Sequence, residues 1–448
     1  MTAYAEKTVR LAAELAAARA SGPPAVGLAK PTSNLFRERA RRRAPRIDLA
    51  HFDRVIRVDP DARLVEAEGM TTFVDLADAT LAAGTMPAVV PQLKSITLGG
   101  AVAGVGIEAT SFRQGLVHDT IVAMEILTGD GRIVSCTADN EHRDLFRGFP
   151  NSYGTLGYAL KLTARTLPVR RYVRVDHARH ADPGSFFADL ERRCADAGVD
   201  FVDGVAFGRG DLVLSCGRFV DAAPWVSDYT YERIYYRSLA AKPVDYLTTR
   251  DYLWRWDTDW FWCSKNVGAQ HPLLRRLLGR ERLNSITYQK IMRWNTRWRI
   301  TAALNRLRGV QSESVIQDVD IPLARAAEFL EFLHAEVGIL PIWICPIRAP
   351  DPAAPATLYP LPPGTLSVNF GFWDTIASRE RRPRGFVNRR IERKVAEVGG
   401  IKSLYSDSYF SEAEFWSIYN RPAYEALKRC YDPEGALGDL YAKCVLRQ

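Results

Sequence analysis

The chain has no uninterrupted apolar run near the roughly 18 to 20 residues that a bilayer-crossing helix needs. Its amino terminus also lacks the compact apolar core of a secretory signal. A cytoplasmic protein is expected, soluble or peripheral at the inner face of the cell membrane. Its seven cysteines (Cys136, Cys194, Cys216, Cys263, Cys345, Cys430 and Cys444) contain no CxxC pair, and an odd number cannot all pair within one chain. A reducing compartment fits that pattern. The seven histidines show no HExxH or other close metal spacing, so no structural or catalytic metal is expected. Zinc-finger and RRM motifs are missing too, which argues against a nucleic-acid partner despite a formal net charge of +8. That charge is better matched by an anionic nucleotide cofactor or anionic lipid. Internal repeats and long low-complexity linkers are also absent.

What remains is 448 residues, 47% of them hydrophobic, enough for two or three domains with sizeable cores. The most informative stretch runs from Ser95 to Leu116, where Gly99, Gly100, Gly104, Gly106 and Gly115 let the backbone approach a ligand closely. Consecutive exposed amides there are expected to form a nest for a diphosphate. His118 to Val134 then reads as strand, Gly-Asp-Gly turn and strand. A glycine loop that leads into a hairpin differs from the strand, loop and helix of a Rossmann site.

Elsewhere, Tyr4 to Ala20 reads as an Ala-rich helix stopped by Gly22-Pro23-Pro24. Ile56 to Pro60 and Leu64 to Glu68 read as strands, and Phe73 to Ala83 as a helix ending at Gly84. Further strands are expected near Phe201 to Arg218 and a helix near Leu323 to Val337. The mixture is α+β rather than an alternating βαβ series. Arg37 to Arg43 is a compact cationic run, read either as a solvated face or as an anion attractor. Aromatic residues crowd Tyr252 to Trp262, as core or as the wall of a lipid tunnel. Leu273 to Val310 interleaves Arg276, Arg280, Arg293, Arg297, Arg299, Arg306 and Arg308 with Trp294 and Trp298, a pattern suited to anionic lipid.

Thr97-Leu-Gly-Gly100, Gly104, Gly106, Gly115, Asp130-Gly131, Asp144-Leu-Phe146 and Gly154-Thr-Leu-Gly157 together resemble the vanillyl-alcohol oxidase and p-cresol methylhydroxylase (PCMH-type) flavoproteins. Ile107-Glu108-Ala-Thr-Ser111, Gln317-Asp318, Pro341 to Pro346, Gly400 to Asp407 and Glu414-Phe-Trp416 are most similar to delta24-sterol reductases of the seladin/diminuto type and bacterial methylene-fatty-acyl reductases. The resemblance spans Gly27 to the end. It implies a PCMH-type two-subdomain FAD-binding domain at 1–170, an α+β substrate or cap domain at 171–401, and a segment at 402–448 that returns to the flavin domain.

By the same resemblance, Thr97, Gly99, Gly100, Gly104, Gly106, Ser111 and Gly115 would contact FAD, with Gly154, Thr155 and Gly157 near the flavin. Lys30 to Arg37 stands where these flavoproteins have a first diphosphate loop, without their Arg-Ser-x-Gly pattern. Thr32, Ser33 and Asn34 are candidate contacts there, and the missing histidine implies noncovalent FAD. The implied reaction is reduction of an isolated carbon–carbon double bond with NADPH as donor. Such an alkene needs an acid. Glu108, Tyr405, Asp407 and His118 are the candidates.

Abundant Ala and an excess of Arg over Lys point to a GC-rich, bacterial source. The expected substrate is therefore a 10-methylene-stearoyl phospholipid, converted to the 10-methylstearoyl (tuberculostearoyl) form, with a methyltransferase as partner. The alternatives are a delta24-sterol side-chain reductase, an FAD-dependent alcohol or sugar-lactone oxidase, and a non-catalytic flavin- or lipid-binding protein.

Overall fold

The computed structural model describes residues 3–20, 26–30, 36–38, 45–298, 305, 309–351 and 355–448. Gly22 to Pro24, Thr32, Ser33, Asn34, Arg39, Arg41 to Arg43, Arg299, Arg306 and Arg308 lie outside the described residues.

The amino-terminal helix, Ala3–Ala20, buries Leu11 and Leu15 in a small core with Ile47, Leu49 and Phe52. Their i, i+4 spacing puts both on one helical face. Strands β1 (Gly27–Ala29) and β2 (Arg46–Asp48) then pair in parallel. The first large sheet comprises β3 (Val55–Asp59), β4 (Leu64–Glu68), β5 (Thr85–Pro87), β6 (Ile121–Leu127), β7 (Ile133–Thr137) and β8 (Tyr158–Pro168). Its order is β3-β4-β8-β6-β7, with β5 also on β8. Between β4 and β5 lies the helix Phe73–Ala82, capped by Thr72 and ended before Gly84, whose φ is +76°.

The hairpin begins later than expected. His118 lies in a 3-10 turn, Val117–Thr120, and extended structure starts at Ile121. The glycine-rich stretch is not an open loop either: Thr97 accepts from the Gly100 amide at 3.2 Å and starts a short helix, Leu98–Ala103. Burial of Leu98, Ala101 and Val102 holds that turn in place.

The second sheet comprises β9 (Tyr172–His180), β10 (Phe201–Gly208), β11 (Asp211–Val220), β12 (Val244–Thr248), β13 (Gln311–Pro322), β14 (Ile342–Ile347), β15 (Ser367–Ser378) and β16 (Ile401–Lys402). Its order is β12-β9-β11-β10-β14-β15-β13-β16, antiparallel throughout. Side chains alternate along β13. Val315, Val319 and Ile321 enter a core with Phe329, Leu330, Ile391 and Val395, while Ser314, Ile316 and Asp318 face a cavity.

β16 belongs to this sheet, pairing Lys402 with Val319. Beyond it the chain returns to the first sheet. Tyr431 O accepts from the Gly129 amide at 2.8 Å, and Lys428 Nζ donates to Thr155 O at 3.1 Å.

Candidate active site

A cavity of about 1300 Å³ is lined from both sheets. Small-ligand pockets run to about 1,000 Å³, so this one has room for a dinucleotide and a second ligand. One wall carries Thr97, Gly99, Gly100, Gly104, Gly106, Gly154 and Gly157, and Lys30 and Lys443 also line the cavity. A Cβ on Gly99 would stand 2.8 Å from Gly69 O, and one on Gly100 would stand 2.7 Å from Thr97 Oγ1. Only glycine permits so close a fit. Three amides of the expected nest are already occupied: Gly99 N–H donates to Gly69 O, Gly100 N–H to Thr97 Oγ1 and Gly104 N–H to Gly100 O. The glycines act here by bringing the backbone surface close to a ligand.

Gln92 lines the same cavity. Its Nε2 donates to Glu108 Oε2 at 2.5 Å, which leaves Oε1 as a buried acceptor without a partner among the described residues. A cofactor carrying N–H groups and phosphates suits that acceptor, the glycine wall and Lys30.

The facing wall is aromatic. Trp260, Phe261, Trp343, Trp373 and Tyr405 line it, with Phe261 packed 5.5 Å from Trp343 and 4.8 Å from Trp373 between ring centroids. Three successive residues, Trp260, Phe261 and Trp262, hold positive φ angles of 49°, 47° and 59°. Left-handed backbone costs roughly 1–2 kcal/mol per non-glycine residue. Asp259 supports the turn, accepting from the Trp262 amide at 2.9 Å.

Asp318 sits among these rings. Trp373 Nε1 donates to Tyr405 Oη at 2.8 Å, and the Tyr405 phenol beside Asp318 favours the charged form of that carboxyl. Asp318 Oδ1 has no partner among the described residues. The cavity touches this carboxyl, yet protein surrounds it. Burial holds it well above the usual carboxylate range, Tyr405 opposing and Asp320 adding to the shift. Burial also keeps the Tyr405 phenol protonated far above its ordinary range. Across the β13–β15 ladder, Asp318 is opposite Gly371. A Cβ there would stand 2.5 Å from the Trp373 ring and 2.7 Å from Asp318 Oδ1. The missing side chain makes the space in which ring and acid meet.

Comparison with known proteins adds two findings. An FAD binding domain family matches residues 1–137. The chain is also 24% identical over 444 residues to a Delta(24)-sterol reductase of Arabidopsis thaliana, covering 89% of this chain and 76% of that protein. The human Delta(24)-sterol reductase is 24% identical over 405 residues, covering 87% and 75%. The chain carries an FAD binding domain at residues 1–137. It is an FAD-dependent oxidoreductase of the sterol-reductase type. A shorter likeness, 29% over 147 residues, joins 32% of the flavoprotein to 28% of cytokinin dehydrogenase 7 from Oryza sativa subsp. japonica.

Several expected site residues of the flavoprotein lie elsewhere. Ser111 is buried away from the cavity, its Oγ accepting from the Glu108 amide at 3.1 Å. Gly115 turns with φ +76° against Asp119 and Pro350. Thr155 donates to Ser152 O inside a buried turn. None of the three lines the cavity.

Of the four candidate acids only Tyr405 lines it. Glu108 lies behind the wall, accepting from Arg255 at 2.8 Å, and Arg255 also reaches Asp203 at 2.7 Å. Burial raises the Glu108 carboxyl, and Arg255 opposes that rise. With both oxygens occupied, it has no route to a substrate in the cavity. Asp407 accepts from the Glu38 amide at 3.1 Å and faces Arg447 at 3.5 Å. His118 is held neutral by burial, outside the cavity.

The sequence reading assigned Asp318 no role. Its signal was the alternation along β13, which puts an acid two residues beyond Ile316 on the strand's ligand face.

Proposed function

We infer that this flavoprotein reduces an isolated carbon–carbon double bond in a long apolar lipid, with Asp318 as the acid. The observation that carries this reading is the place of the Asp318 carboxyl on a mostly aromatic cavity wall, where burial raises its pKa. FAD, when bound, supplies the hydride chemistry. Thr97, Gly99, Gly100, Lys30 and Gln92 are the residues that would hold it.

An isolated alkene has no carbonyl to take up developing negative charge, so protonation must assist. Asp318 delivers the proton to one alkene carbon. Tyr405 stands beside the carboxyl and is itself fixed by Trp373. Positive character on the more substituted carbon then faces the rings of Trp343 and Trp373. Such rings contribute roughly 0.5–2 kcal/mol each. The aromatic lining excludes water that would otherwise level the acidity of Asp318.

The proposed substrate is a methylene-branched fatty-acyl phospholipid, 10-methylene-stearoyl to 10-methylstearoyl, with NADPH as electron donor and a methyltransferase making the branch. Sterol side-chain reduction is the second reading, favoured by the names of the relatives. Alcohol oxidation fits less well: it calls for a base, and burial of Asp318 favours its protonated form.

The test reduces the FAD-loaded protein anaerobically with NADPH and mixes it with methylene-branched phospholipid or with a side-chain-unsaturated sterol. Flavin reoxidation with a gain of two hydrogens in the product identifies the lipid class. Failure with both, alongside oxygen consumption on an alcohol, overturns the reading.

A further inference from the structure

We propose that the helices Pro272–Leu278 and Ser285–Trp298 form a docking surface for an anionic bilayer and open the cavity onto it. The inference rests on the lipid-substrate reading for its purpose, although its geometry is independent of the reaction. Seven of the twelve exposed large hydrophobic side chains among the described residues fall within these two helices. Leu273, Leu277, Trp294 and Trp298 are 68%, 78%, 57% and 63% exposed, well beyond the scattered apolar exposure of an ordinary surface.

The second helix ties that patch to the cavity. Ile291, Trp294 and Trp298 follow i, i+3, i+7 spacing and share one face. Ile291, Met292 and Trp294 also line the cavity. One apolar stripe therefore runs from the cavity wall to the outer surface. A water-soluble ligand gains nothing from such a stripe, whereas an acyl chain leaving a membrane stays in apolar contact along it.

The charges select the kind of surface. From His271 to Trp298 the chain has seven Arg and Lys residues and a single acid, Glu281. Neighbouring elements supply Glu232, 3.1 Å from Arg276, and Asp228, 2.9 Å from Arg280. Arg282, Lys290 and Arg293 remain exposed beside the apolar stripe. Tryptophan with Lys and Arg around an apolar face matches the boundary between headgroups and acyl chains of an anionic membrane. A second copy of the chain is a poorer occupant, because a two-fold contact would bring two cationic patches together.

Sedimentation with vesicles tests the surface without any turnover. The FAD-loaded protein should bind vesicles of equal parts phosphatidylglycerol and phosphatidylcholine on the order of tenfold more tightly than phosphatidylcholine alone. Rising salt should weaken that preference. Leu273→Ser/Leu277→Ser should lose on the order of tenfold in binding through the apolar term. Arg282→Glu/Lys290→Glu should abolish the anionic preference even if the first variant misfolds. Flavin content and thermal midpoint serve as fold controls. No vesicle binding by the native protein, equal binding to both vesicles, or a dimer that Leu277→Ser dissociates would each overturn the proposal. Vesicle binding without alkene turnover upholds the docking surface and rejects the substrate reading instead.

Discussion

Two carboxyl clusters lie near the cavity, only one of them lining it, and their chemistry diverges. Glu108 and Asp203 share the Arg255 guanidinium. Gln92 takes the other Glu108 oxygen at 2.5 Å, and Trp343 Nε1 donates to Asp203 at 3.3 Å. Asp318 lines the cavity, with no ion pair to a cation among the described residues and with the Tyr405 phenol beside it. The first cluster orients two side chains that line the cavity, Gln92 and Trp343. In the proposed reaction the second holds a proton where a ligand can receive it. A carboxyl surrounded by partners serves as a support, and a carboxyl left protonated and partly unpartnered serves as an acid.

Substitutions should separate the two roles, the largest effect coming from the support. Glu108→Ala leaves Arg255 with half its compensation and should cost about 3–5 kcal/mol of stability, read by chemical denaturation. Glu108→Gln keeps the shape and should cost less, with alkene-driven flavin reoxidation retained. A loss of reoxidation in folded, FAD-loaded Glu108→Gln would erase the distinction. Gly371→Ala should cost about 1–3 kcal/mol by overpacking, and should slow reoxidation because the new methyl displaces Trp373 or Asp318. An unshifted denaturation midpoint would show that this space is not needed.

Tyr405→Phe should give the smallest change, about 1 kcal/mol or roughly fivefold in the reoxidation rate, the size of one hydrogen bond. Its pH profile sharpens the comparison. Tyr405 lowers the Asp318 pKa, so its removal raises that pKa further. The rate depends on the protonated acid and falls as pH rises through the Asp318 pKa. The alkaline limb should therefore move to higher pH in Tyr405→Phe, and a shift to lower pH would contradict the assigned partnership.

The glycine segment, the Gly-Asp-Gly hairpin and the α+β mixture were legible because they rest on local chemistry and two-residue periodicity. The short helix within the segment was not, since Gly69 and Thr97 decide which amides remain free. Glu108 was misassigned for a related reason. Its neighbours in sequence are glycines of the cavity wall, but Arg255, its decisive partner, is 147 positions away. The left-handed run Trp260 to Trp262 contains no glycine to announce it. Asp318 and Tyr405 are drawn together by two distant segments, and only the alternation on β13 carried a local hint.

The most direct test of Asp318 as the acid is single-turnover reoxidation of the NADPH-reduced protein by its alkene across pH, native against Asp318→Asn. The native rate should fall on the alkaline side with the loss of one proton. Asp318→Asn, with FAD retained, should be slower by about 10² to 10⁴-fold, the usual worth of general acid catalysis, and should lack that limb. A native rate and an unchanged alkaline limb in Asp318→Asn would contradict the account.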